Sequence, residues 1–167
     1  MKTFSRYWGL YGGLRALLRS PYLYCALLVT VLCEPFWTKI DPQGESSWAQ
    51  TSIDIIPSLL GFSMGGMAIM LAFSNATIFT AITQKGKPNS LFLTVVANFY
   101  HFILFQIISI ILAIGTRAFP SVRPLSFFGF WAMIYAILVA LATAGQLLRM
   151  AEVFNKAGGV DRDKNET

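Results

Sequence analysis

Charge is scarce in this chain of 167 residues: Asp, Glu, Lys and Arg together make up 13% of it, about half the share of a soluble domain. With 55% hydrophobic residues beside so little charge, a water-soluble fold could not cover its own apolar surface. Groups suited to catalysis are scarcer still. There is one histidine, and the apolar segments hold no acid except Glu34 and Asp54 near their ends, so no group is set to relay protons or attack a substrate. No phosphate-binding glycine loop, HExxH or nucleophile elbow occurs; the serine of "GFSMGG" lies inside an apolar run and lacks the strand-turn-helix setting an elbow needs. Neither catalysis nor a cofactor is expected. Cysteine is nearly absent too. Cys25 and Cys33 are eight residues apart in one apolar segment, about 12 Å along a helix and too far to bridge, and no CxxC pair offers a metal site. Long runs of like charge are also missing. The net charge of +5 is dispersed beside apolar segments, which points to anionic lipid as a partner and away from direct nucleic-acid binding.

What is present is apolar sequence divided by turns. Residues 1–20, "MKTFSRYWGLYGGLRALLRS", set Lys2, Arg6, Arg15 and Arg19 among aromatic and leucine residues. On a helical wheel Phe4, Trp8, Tyr11, Leu14 and Leu18 share a face with Arg15, as in a lipid-facing interfacial arm whose arginine snorkels. Ser20 and Pro21 then read as a capped helix start. Four transmembrane helices are predicted, over about 21–38, 53–83, 90–115 and 125–149, which makes residues 21–149 one all-α integral membrane bundle. Residues 39–52 read as an external loop with Trp37 and Trp48 near the interface. Residues 150–167 form a tail that should lose its helix at Gly158 and Gly159. Ten Lys and Arg flank one side, in the arm, the 84–89 connector and the tail; Lys39, Arg117 and Arg123 flank the other. That asymmetry places both termini in the cytoplasm.

Three groups of residues could carry a function. On the second helix Ser58, Gly61, Gly65, Ala68, Ala72 and then Asn75 or Ala76 recur at steps of three and four. In lipid no hydrophobic drive brings helices together, so a glycine face that admits a close neighbour is a packing face, serving either the same chain or another copy. On the third helix Thr94, Asn98, His101, Gln106 and Ser109 gather polar groups near the bilayer midplane, where they are costly. They either line a pathway, with His101 titrating, or hydrogen-bond neighbouring helices, with Asn75, Thr77, Thr80, Thr143 and Gln146 as available partners. A tetramer or larger assembly would bring several copies of His101 around one axis. Glu34 and Asp54, at the outer ends of adjacent helices, could form an acidic mouth for cations.

The layout of a basic arm, four helices, a small-residue face within "LGFSMGGMAIMLAF" and little mass outside the membrane resembles the small membrane subunits of bacterial anti-phage systems, such as the membrane component of Kiwa. The resemblance implies a homo-oligomer in the bacterial inner membrane that senses infection or membrane disturbance with a cytosolic protein partner. The expected function is accordingly a sensor or scaffold subunit. The alternative is an oligomeric ion channel or membrane-permeabilising effector. A secondary transporter is disfavoured, because no charged residue sits at the midplane and no inverted repeat is evident.

Overall fold

The computed structural model of the chain describes residues 2–72 and 82–165. These form α1 (Lys2–Tyr11), α2 (Gly13–Arg19), α3 (Pro21–Leu32), α4 (Glu34–Trp37), α5 (Ser47–Ala72), a 3-10 turn at Gln84–Gly86, α6 (Leu91–Ala118) and α7 (Arg123–Asn165). Three of the helices are long and apolar enough to cross a bilayer, over Ser47–Ile69, Leu91–Ala118 and Arg123–Val153. A fourth crossing exists only if α2 and α3, bent by 55° at Ser20, count as one span. The chain is thus a helical membrane protein with three to four candidate spans.

The short first span has a local cause. Pro21 stands at the first turn of α3 as anticipated, but the Ser20 hydroxyl makes no capping bond. At the other end Cys33 interrupts the helix two residues before Pro35, and Glu34–Trp37 form a separate turn. Proline cannot donate to the ladder and crowds the preceding turn, so the expected single helix over 21–38 divides there.

The second span starts at Ser47, six residues before the expected Ile53, because the external loop is shorter than its polar composition implied. Asp41 closes that loop: its Oδ1 accepts from the backbone N–H of Gln43 at 3.0 Å and of Glu45 at 2.7 Å. The result is a tight turn with a bridge between Ile40 and Ser46. Trp48, at the start of that span, is turned away from the protein's surface. It is fully buried, and its Nε1 donates to Ser126 Oγ at 2.6 Å.

Helix α6 is capped by Ser90, whose side chain accepts from the Leu93 N–H. It lies at the centre of the bundle, packed on α7 most extensively and on α5 next, while α3 lies on α7 and α1 on α6. Trp48, Ala49, Ile56, Ala113, Phe130, Met133 and Ala136 make a core at one end; Ile82, Val95, Phe99 and Met150 make one at the other. Helix α7 continues past Arg149 through Gly158 and Gly159 to Asn165. Each glycine lowers helix stability by about 1 kcal/mol, yet glycine permits a left-handed stop without imposing one.

Candidate functional site

The polar residues of α6 divide between two interfaces. Gln106 and Ser109 face α5: Gln106 Nε2 donates to Ser63 Oγ at 3.3 Å, and the hydroxyls of Ser109 and Ser52 lie 3.1 Å apart. All four side chains are buried. Ser63 in turn donates to the Leu59 carbonyl on its own helix. These are interhelical bonds of the kind that hold membrane bundles together, each worth about 0.6 kcal/mol. The partners are serines of α5 that composition did not single out. Asn75, Thr77 and Thr80, expected as partners, lie outside the described residues.

His101 faces away from α5. It is 1% exposed, and its two ring nitrogens meet two phenols: Nδ1 and Tyr7 Oη share a hydrogen bond of 2.6 Å, and Nε2 and Tyr135 Oη one of 3.0 Å. A neutral imidazole donates at one nitrogen and accepts at the other, so both phenols are satisfied without a charge. Tyr11 stacks on the imidazole with ring centroids 4.0 Å apart, and Phe105 closes another side at 4.8 Å. Inside one protomer His101 is therefore enclosed by α1, α6 and α7. With the arm docked, almost none of the ring lies at the surface of the protomer.

The arm is correspondingly more than a lipid-facing helix. The residue it buries is Tyr7, which the wheel through Leu18 omitted. Phe4, Tyr7, Trp8 and Tyr11 follow an i, i+3, i+4, i+7 pattern that contains it, so the signal was present over one helix rather than two. The wheel fails beyond Tyr11 because Gly12 at φ 98° and Gly13 at φ 64° turn the chain through left-handed backbone, which glycine alone adopts freely. Leu14 and Leu18 are exposed beyond that turn, as are Arg6, Arg15 and Arg19; the Lys2 side chain lies outside the described residues. Burial holds the Tyr7 phenol well above its ordinary value, with Tyr11 and Tyr100 adding to the effect.

On α5 the small-residue face meets nothing among the described residues. A Cβ built on Gly61 or Gly65 has no atom within 4 Å, and Ser58, Ala68 and Ala72 are exposed as well. Of the three glycines in "GFSMGG" only Gly66 has neighbours, Leu147 and Phe99. The span Ser47–Ile69 is the least enclosed of the three, 17% buried against 39% and 44%. At the Ser47 end of α5 Asp54 accepts from Gln50 at 2.9 Å, Gln50 accepts from Arg117 at 2.8 Å, and Arg117 pairs with Glu45 at 3.2 Å. Glu34 is exposed at the start of α4, and among the described residues no hydrogen bond or ion pair joins it to Asp54. No group of His, Cys, Asp and Glu among the described residues could hold a metal ion. Comparison with protein-family models, with curated proteins and with solved structures finds no match for this chain.

Proposed function

We propose that the protein is the membrane subunit of a homo-oligomeric sensor or scaffold that works with a cytosolic partner. One observation carries the reading. The face of Gly61, Gly65, Ala68 and Ala72 is open along the least enclosed span, so nothing among the described residues of the protomer offsets the helix cost of its glycines. A second copy packed on that face would offset it by close backbone contact. On this reading the bent α2–α3 pair is the first of four spans, and the ten basic residues on one side hold both termini in the cytoplasm of a bacterial inner membrane. The resemblance to anti-phage membrane subunits supports a defence role.

The assembly is tested with Gly65→Leu. Open space surrounds Gly65, so the protomer should fold normally while native mass measurement records a loss of oligomer. An unaltered oligomer would turn the interface elsewhere. For the partner, removal of residues 158–167 should abolish capture of the cytosolic protein and leave the oligomer intact.

A channel is the second reading, favoured by two buried polar atoms on α6 without partners among the described residues, Gln106 Oε1 and Thr116 Oγ1. Ion flux through the protein in liposomes, between about pH 5 and 8 where histidine ordinarily titrates, would test it beside His101→Leu and Gln106→Leu. Flux altered by either change would put the channel first; its absence at every pH leaves the scaffold.

A further inference from the structure

We propose that a slot between α6 and α7 binds the uncharged, hydroxyl-bearing head of a membrane amphiphile, of which diacylglycerol is the simplest form. Two chambers make the slot, and they share Asn98 on α6 and Gln146 on α7. The inner chamber, about 230 Å³, reaches His101 and Tyr135 and is lined also by Ser20 and Thr143. The outer chamber, about 360 Å³, is walled by Leu91, Val95, Met150 and Val153, with Arg149 and Glu152 at its sides. The α6 and α7 residues of both chambers belong to the candidate spans Leu91–Ala118 and Arg123–Val153, which would set the chambers at membrane depth, and Tyr11, Ala16, Ser20 and Tyr22 close the inner one.

The chemistry of the walls selects the head. Polar groups at such depth are held by partners, and Gln146 lacks one among the described residues: its Oε1 is buried with no hydrogen bond there. An orphan acceptor asks for a donor, which a hydroxyl supplies and a carbonyl-only head such as a quinone does not. Thr143 already donates to the Val139 carbonyl at 2.9 Å, so its oxygen presents lone pairs to the chamber. Both nitrogens of His101 are occupied by Tyr7 and Tyr135. No ionised side chain lines the inner chamber, so a phosphate or ammonium placed there would stand unpaired. In the outer chamber Arg149 and Glu152 carry opposite signs and give no net attraction for either. The walls of Leu91, Val95, Met150 and Val153 suit a hydrocarbon tail, which makes the membrane the source of the ligand. This inference needs no particular oligomer and stands apart from the assembly proposed above.

The test uses the full chain in detergent with three probes: dioleoylglycerol, dioleoylphosphatidic acid with the same tails and a charged head, and glycerol with the head alone. Native mass measurement should retain dioleoylglycerol about tenfold better than either of the others, because phosphatidic acid brings an unpaired charge to the chamber and glycerol leaves the apolar walls unfilled. Gln146→Leu removes the orphan acceptor, and Ala142→Phe fills the inner chamber from a small wall residue while keeping every polar group. Each should reduce retention about tenfold with helical content unchanged. If Gln146→Leu fails to fold, Ala142→Phe decides. Equal retention of phosphatidic acid, equal retention of glycerol, retention insensitive to Ala142→Phe, or no retained probe would each overturn the proposal; the last would leave a water-filled chamber.

Discussion

The two halves of α5 contrast within one helix. From Trp48 to Ile56 its inward side chains are committed to the protomer: Trp48, Ala49, Ser52 and Ile56 are fully buried, and Ser52 meets Ser109 across the interface with α6. From Ser58 to Ala72 the stripe of Ser58, Gly61, Gly65, Ala68 and Ala72 faces outward, beside Phe62 at 63% exposed and Met64 at 60%, and only Ser63 and Gly66 among the small residues there turn inward. Glycine appears at both ends of the comparison with opposite meaning. Gly129 of α7 lies against the Trp48 ring so closely that a Cβ there would overlap it, whereas Gly61 and Gly65 meet open space. A glycine in a membrane helix therefore records a close approach only when the neighbour is known. Spacing alone does not say whether that neighbour is in the same chain.

The contrast can be broken most severely at Gly129. Gly129→Ala forces the Trp48 ring out of a fully enclosed site, and overpacking of this kind should cost about 3 kcal/mol, read as a lowered melting temperature in detergent. The same change at Gly65 should show no such loss in the protomer. Trp48→Phe is the next largest perturbation. It keeps most of the ring but leaves Ser126, which also donates to the Trp37 carbonyl at 2.6 Å, without its indole donor. A loss of about 1–2 kcal/mol is expected in the same melt. Gly65→Ala sharpens the other side of the comparison: alanine is the better helix former by about 1 kcal/mol, so chemical unfolding of the dissociated protomer should show equal or greater stability. A clear destabilisation there would mean that Gly65 has a neighbour within the chain. Ser109→Ala should cost about 0.6 kcal/mol, the usual worth of an interhelical hydrogen bond in lipid. A double-mutant cycle with Ser52→Ala would measure that bond directly.

A pH scan separates the arm from both halves of α5. The Tyr7 phenol is raised above its ordinary value of 10.0, by burial first and then by Tyr11 and Tyr100. Its neutral form therefore stabilises docking, with the full effect below pH 10 and a progressive loss as pH rises above it. Trp8 fluorescence should report release of the arm in strong alkali. Tyr7→Phe should reduce that pH dependence, leaving the part due to Tyr11, whose phenol burial also raises, and the melt of the α5 core should not follow it.

Much of the fold was legible because lipid punishes unsatisfied backbone so strictly. Apolar length alone announced α6 within a few residues, and Ser90 sits where a cap belongs. Errors arose where side chains decide boundaries. Polar composition lengthened the external loop, although Asp41 folds it into a tight turn that frees Ser47 to begin α5. Trp48 was assigned to the interface by residue type, but the ring-sized gap left by Gly129, 81 positions away, took it inside. Tyr7 was missed because a wheel extended through Gly12 and Gly13 averaged over a bend. The polar residues of α6 were found, and their division between α5 and the arm was not. Gln106 and Ser109 bond to Ser63 and Ser52, while His101 turns to Tyr7 and Tyr135.

The sequence by itself determined the class: scarce charge and long apolar segments leave a helical membrane protein, because a chain in lipid must satisfy its backbone locally. Which face of each helix is filled was decided only in three dimensions. Periodicity ranks the faces of a helix, but a partner is chosen by shape and hydrogen bonding between residues far apart in the chain. Gly129 beneath Trp48 and Tyr7 against His101 are such pairs, and neither exists until the helices meet.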